Sequence, residues 1–558
     1  MEPQKQKVPT SHHPAESWWA FAISVQRDAA GAHLRIAWGR LGLHLVVLAI
    51  GAWLTMTTGA FLWVKYYRGF SDANPLDIAL PNRWSQYAGT RGNFYIKQAK
   101  QELAEQKWAE ALYHLRVGVA AAPANTEGRL ILAQFFTISG RIELAQRTLL
   151  DGLPYAADDN EYLKTVFSFL LQYQADDEVR RVAATVLEAP GQPSARVQLA
   201  ALAAATANFY RGNYDAAEAL VREHRLLETK DGRVLLVRID WERGHHEAAL
   251  ARLKADIADY PDEEDFYAQL AACYRAIGDF TSAERYALLR EIGHPQSAAA
   301  RIDLLSSYQL GRQSSLYQTS VDGMLRDFAE DRAALLTLAN FGAEQGDAAL
   351  ALRIYRLLQE KGLEADPAAL MVAEAHVVAR DYRAALDFLA SAGTARPEWR
   401  RKFLGLINAL EAVAYFGLGQ TGDGDLYFNH FLSQPTVRTE HLSAIANRLI
   451  EVGAKPQARR ALAQAAAADP RNQHALTRLV ELDLEAGPSI ELTANLRRLL
   501  AMRRPSPIVL KQAKAALGSD RFLFSADREE LLAAVQTALA LAPSEPDTIA
   551  AGVRSTTP

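Results

Sequence analysis

The sequence predicts an all-α solenoid of helix pairs preceded by one transmembrane helix, and three observations carry that prediction. Glycines recur every 32 to 35 residues at one place in a helix-turn-helix pattern, at Gly212, Gly244, Gly278, Gly311 and Gly346, and again at Gly419, Gly453 and Gly487. Fixed-interval self-similarity of this length is the mark of a repeat array in which each unit buries its apolar face on the next. Second, 41–64 runs for 24 residues without Asp, Glu, Lys or Arg. Third, 49% of the chain is hydrophobic, enough to build a long one-dimensional core, and no strand-like alternation stands out.

The repeats follow one grammar. The segments GNYDAAE at 212–218, GHHEAAL at 244–250, GDFTSAE at 278–284 and RDYRAAL at 380–386 each read as a turn that opens a short Ala-rich helix. Upstream lies an apolar helix with a small residue where two helices approach closely, as in LAACY at 270–274 and LAQFF at 132–136. Downstream, proline at Pro123, Pro261, Pro295, Pro397 and Pro470 ends the second helix, because it lacks an N–H and clashes with the preceding turn.

On these residues the chain resembles a tetratricopeptide-repeat protein of membrane-anchored bacterial type. The clearest copies are 92–125 (Ala111, Leu115, Pro123), 126–159 (Leu132, Ala133, Phe136, Gly140, Ala145), 264–297 (Leu270, Ala271, Tyr274, Gly278, Ala283, Pro295) and 439–472 (Ala446, Gly453, Ala458, Pro470). Weaker copies give about twelve units over 92–506; the turn glycine of 160–197 is replaced by Gln174, and the spacing of 401–438 is stretched. The resemblance implies a right-handed superhelix whose concave groove, lined by the first helix of each pair, binds protein or peptide partners. Residues 507–541 are expected to add two capping helices, since an open last repeat would expose apolar surface, and 542–558 to be a disordered tail.

Before the repeats, 41–64 is long enough as a helix to cross a hydrocarbon core of roughly 30 Å. Trp38 before it and Trp63, Tyr66 and Tyr67 at its end suit the interfacial aromatic belts, with Trp53 internal. The preceding 1–40 reads as a cytoplasmic or disordered tail whose segment 17–23, SWWAFAI, leads amphipathically into the anchor, and 65–91 reads as a linker rich in breakers. Flanking cations tie, with Arg27, Arg35 and Arg40 before the span and Lys65, Arg68 and Arg83 after it, so charge does not orient it. A short N-terminal tail before a large C-terminal domain is similar to a bacterial signal-anchor protein, which implies a single-pass inner-membrane protein with periplasmic repeats.

Composition and motifs exclude several classes. With 61 basic and 65 acidic side chains there is no field to recruit nucleic acid. GLGQTG at 417–422 matches a dinucleotide fingerprint but follows a helical run rather than a buried strand, so it reads as a repeat turn. His245 and His246 are adjacent and point apart on a helix, a poor metal pair, and His12 and His13 fall in the head. His44 lies one turn inside the span, and Cys273 is expected to be a small packing residue. No catalytic constellation, cofactor or metal is expected.

What remains is recognition. The groove positions implied by the resemblance are Gln134, Phe209, Tyr210, Arg238, Trp241, Arg275 and Asn340. The aromatic members would anchor apolar side chains of a peptide and the arginines would pair its carboxylates. Replacing Arg238, Trp241 and Arg275 together is expected to weaken capture while leaving helix content and melting nearly unchanged. The leading function is a membrane-anchored adaptor for an envelope assembly such as a pilus, secretion or polysaccharide-export system. The alternatives are a chaperone-like factor for envelope proteins and a regulatory subunit of an enzyme.

Overall fold

The computed structural model describes residues 23–28, 31–36, 38–70, 73–157, 159–188, 194–435, 437–525 and 527–540. The head 1–16, the cluster 17–22 and the tail 542–558 lie outside them. The chain divides into two units, 1–166 and 167–558.

The first unit opens on an element the sequence reading missed. Strands β1 (Ile23–Asp28) and β2 (Gly31–Ile36) pair antiparallel, Ile23 opposite Ile36 and Asp28 opposite Gly31, a short hairpin ahead of the helices that make up the all-α fold. Ile and Val at 23 and 25, two apart, with a Gly just past a two-residue connection, are a hairpin signature too short to stand out beside the apolar run that follows. Helix α1 (Trp38–Leu62) carries that run and continues through one wide-wound turn, Trp63–Tyr67. Among the described residues it is the one helix long and apolar enough to cross a membrane.

The expected linker 65–91 is instead folded. Phe70 is buried beside Val64 and stacks on Phe94 at 4.1 Å between ring centres. Helix α2 (Pro75–Ala79) then starts with proline in its first turn and Asn74 accepting from the Leu76 amide. It returns alongside α1, where the Trp53 indole donates to the Ala79 carbonyl at 2.9 Å. Helix α3 (Trp84–Ala104) pairs with Trp108–Ala121 through a glycine contact. A Cβ on Gly92 would lie 2.6 Å from the Ala122 amide nitrogen and 2.7 Å from the Gly118 carbonyl, so only glycine lets the two backbones meet. A second pair, Thr126–Ile138 with Ile142–Leu150, and the start of a third complete this unit.

The second unit is a run of tetratricopeptide-like helix pairs in which both helices contribute buried Ala, Leu and Val. A capping pair, Pro507–Gly518 with Arg528–Ala540, buries Leu510, Leu517, Leu531 and Val535 against Leu496 and Leu499. The stretched spacing before Gly419 has a cause: an extra short helix, Pro397–Lys402, is wedged between pairs by Trp399, whose buried indole donates to the Asp366 carbonyl at 3.1 Å.

Within the repeats, though not in the capping pair, the turns between paired helices bend through a residue with positive φ, and that residue is not always glycine. Gln174 (56°), Arg312 (57°) and Arg380 (62°) hold the same place as Gly244 (78°) and Gly278 (81°). At the fourth periodic glycine the reading is therefore corrected by one residue: Gly311 has φ −73°, and its neighbour Arg312 takes the left-handed conformation. A Cβ there costs about 1–2 kcal/mol, partly offset by the looser unfolded chain of glycine. Arg380→Gly, at an exposed turn, should stabilise the protein by about 0.5–1 kcal/mol in denaturant titration.

Candidate functional site

The expected groove residues are brought together only in part. Helix Ala195–Tyr210, capped by Ser194, ends on Phe209 and Tyr210, with Tyr214 following the turn. The three rings cluster: Phe209 is buried, 5.6 Å from Tyr210 and 5.7 Å from Tyr214. From the next first helix, Lys230–Glu242, the exposed Arg238 side chain lays its guanidinium over Phe209 at 4.7 Å and Tyr210 at 5.6 Å. A guanidinium over an aromatic face is attracted by the ring quadrupole, and exposure leaves its edge open to a further partner. One turn on, Trp241 is half-buried and stacks on His246 at 4.3 Å, which gives the HisHis turn a packing role.

Arg275 is placed differently. On helix Glu264–Ala276 it is largely buried, ion-pairs with Asp303 of the next repeat and donates to Ser307 Oγ at 3.1 Å. Arg290 reaches the same Asp303 at 3.1 Å and Glu264 at 2.8 Å, so a chain of four charged groups ties two repeats. Arg275 is thus an internal tie, and the expectation that its removal leaves melting nearly unchanged is corrected. Asn340, on Arg332–Gln345, is exposed and donates to Glu344 at 2.8 Å. Gln134 is exposed on Thr126–Ile138 in the first unit.

Tyr210 has a neighbour that sequence reasoning missed. The segment between helices Ile490–Ala501 and Pro507–Gly518 returns to the start of the second unit, some 300 residues earlier in the chain. Arg503 grips the carboxylate of Asp176, which is 1% exposed, with Nε and Nη2 at 2.9 and 2.8 Å. Its Nη2 also donates to the Leu171 carbonyl at 2.6 Å, and its guanidinium lies 3.8 Å over the Tyr210 ring. The Arg504 amide donates to the Tyr210 carbonyl at 2.9 Å, Arg504 reaches the Tyr214 hydroxyl, and Arg211 donates to the Ala501 carbonyl at 3.0 Å. The fork of arginine matches a carboxylate two atoms to two, which makes this joint geometrically specific. The second unit therefore closes on itself. At the same seam Arg504 Nε and Nη2 are buried with no hydrogen-bond partner, and Arg211 Nε, also without one, lies 3.8 Å from the Asp176 carboxylate as a second cation beside it.

Perturbed groups elsewhere are explained by packing. Burial pushes the Cys273 thiol up to about 12, as expected of a packed cysteine rather than a nucleophile. Hydrogen bonding from Arg243 holds Glu218 below the usual carboxylate range, and burial raises Glu411 despite its bond to Arg400 at 2.9 Å. Gly417 ends one helix and Gly422 lies in the next, and a Cβ on Gly417 would strike the Tyr382 ring at 2.5 Å, so helix packing accounts for the fingerprint-like glycines. Among the described residues no group of His, Cys, Asp and Glu is arranged to hold a metal.

In sequence, a family of unknown function, DUF6584, matches residues 233–314. No curated protein matches the chain. Solved structures similar to it include yeast Tom70, at 13% identity over 83% of this chain and 96% of that one with a TM-score of 0.28. Others are Naa15/Naa10 bound to HypK-THB, at 13% identity over 88% and 79% with a TM-score of 0.28, and Pseudomonas aeruginosa pilF, at 12% over 44% and 95% with 0.25. At these TM-scores the chains do not superpose as wholes.

Proposed function

We propose that the protein is a membrane-tethered scaffold that docks other proteins on the first helices of its repeats and performs no chemistry of its own. The observation that carries this reading is the Phe209, Tyr210, Arg238 and Trp241 surface. It combines an exposed guanidinium that makes no ion pair among the described residues with the half-buried Tyr210 and Trp241 rings, on the footing of the buried Phe209. Aromatic and arginine side chains held by their own neighbours lose little freedom on binding, which is why they dominate protein recognition sites. The apolar α1 supports a tether that confines the search for partners to the bilayer surface. In this reading the chain is a single-pass protein of a bacterial inner membrane with its repeats in the periplasm, where it serves assembly of an envelope complex such as a pilus, secretion or polysaccharide-export system.

The test separates recognition from folding. Arg238→Ala with Trp241→Ala removes exposed or half-exposed groups that bear no ion pair, so the unfolding free energy should fall by no more than about 1–2 kcal/mol while capture of a crosslinked partner in native membranes falls at least tenfold. Capture at full strength would remove this surface from the function.

A further inference from the structure

The return of α2 along α1 decides where a membrane can sit. Trp53 of α1 is bonded to Ala79, Thr57 is buried, and Val64 is covered by Phe70, so one face of the last third of α1 lies against a collar made with α2 and the Phe70–Phe94 stack, while Leu54, Met56, Leu62 and Trp63 on its other sides stay exposed. Above its base at Trp53, the stretch from Thr57 to Tyr67 beside the collar is about 15 Å tall at the helical rise. It is a poor object to place in lipid. It contains the carboxylate of Asp77 facing Arg83 at 3.7 Å, irregular backbone at Leu80 to Arg83, and the exposed polar side chains of Gln86, Arg91 and Asn93 on α3. Charged pairs and irregular backbone are not stable facing hydrocarbon.

Below the collar the picture reverses. Among the described residues Leu43, Leu45, Val46, Val47, Leu48 and Ile50 are each more than half exposed around α1. The stretch Trp38 to Met56 is about 28 Å long, close to the roughly 30 Å of a hydrocarbon core. At the base of the collar, Leu76 (51% exposed), Leu80 (41%) and Trp84 (52%) point outward, and the Trp84 indole donates to the Ile78 carbonyl at 3.2 Å. Trp53 and Trp84, with apolar bodies and bonded polar edges, are the side chains that favour a lipid–water boundary.

We infer that the bilayer covers Trp38 to Met56 and stops there, and that the collar base, through Leu76, Leu80 and Trp84, rests on the lipid headgroups. This rests on the proposed tether, and it moves the boundary away from the end of the apolar run by roughly two helical turns. Trp63 and Tyr67, which the sequence places at the interface, then stand in water, stacked on each other at 6.0 Å, with Arg68 over the Trp63 ring.

Cysteine accessibility tests it on the full chain in sealed vesicles. Cys273→Ala removes the native thiol, and single cysteines replace Ile50, Leu62 and Tyr67. A membrane-impermeant maleimide, applied before and after permeabilisation, should label Leu62→Cys within about threefold of Tyr67→Cys and at least tenfold faster than Ile50→Cys. Leu62→Cys as protected as Ile50→Cys, with Tyr67→Cys reactive, would overturn the boundary and leave the tether standing. Ile50→Cys as reactive as Tyr67→Cys would remove the tether itself and the boundary with it. A nitroxide on Leu80→Cys gives a readout that leaves α1 untouched. Relaxation at headgroup depth supports the inference, and relaxation at the bilayer centre or in bulk water overturns it.

Discussion

Arg503→Ala should open the second unit without unfolding it. The substitution removes both hydrogen bonds to the Asp176 carboxylate, the bond to the Leu171 carbonyl and the stack on Tyr210. Asp176 would keep only the looser Arg211 pair at 3.8 Å, so the loss should be smaller than the roughly 3–5 kcal/mol of a fully unpaired buried charge, and the cheapest relief is for water to enter the seam. Each helix pair is held by its neighbours, so helix content should change little while the joint between residues 171–214 and 471–504 comes apart. Small-angle scattering should show a larger maximum dimension, and amide exchange should rise at both sides of the seam and nowhere between. Arg503→Lys should behave like the alanine variant, since an ammonium cannot fork across two oxygens or stack flat on a ring. An unchanged scattering profile for Arg503→Ala would show that the joint is held by something else. The two Arg504 nitrogens without hydrogen bonds at the same seam oppose closure, because each buried unsatisfied donor costs about 1–3 kcal/mol.

The second large effect is at Arg275. Arg275→Ala leaves Asp303 buried with Arg290 as its remaining cation and Ser307 without its donor. We expect a loss of about 2–4 kcal/mol, seen as an earlier first transition in denaturant, since a repeat array unfolds locally where one interface fails. Arg275→Met, close in volume and unable to pair, should do little better, whereas Arg275→Met with Asp303→Leu should recover much of the loss, because replacing a buried pair by apolar groups is often neutral. A wild-type transition for Arg275→Ala would return this residue to the set of free groove cations.

How far these features were legible in the sequence follows from their range. The helix pairs were, because turn glycines, helix-ending prolines and small residues at crossings act within one repeat, and the structure uses them as read at Gly244, Gly278 and Pro470. Gln174, Arg312 and Arg380 bend the same turns without glycine, so the period stays visible only because most copies are regular. The hairpin at 23–36 was lost because six residues of weak alternation carry little signal beside a long apolar run. Arg275 was misassigned because helical spacing tells which face a side chain leaves from and nothing of whether Asp303 waits across the interface. The seam was illegible for a deeper reason: the meeting of Arg503 with Asp176 depends on small rotations accumulated over many repeats, which no local pattern encodes.

That the repeats hold another protein at the membrane can be checked by position-resolved photo-crosslinking in native membranes. A photoreactive residue is placed at Asp231, exposed two turns before Arg238 on the same helix face, at Asn340 or, as a control on a second helix, at Glu247 of the full chain. One discrete adduct is expected from Asp231, weaker or absent from Asn340 and absent from Glu247, and it should be lost when Arg238→Ala and Trp241→Ala are added. Adducts of equal yield from all three positions, or none from any, would rule out docking on this surface.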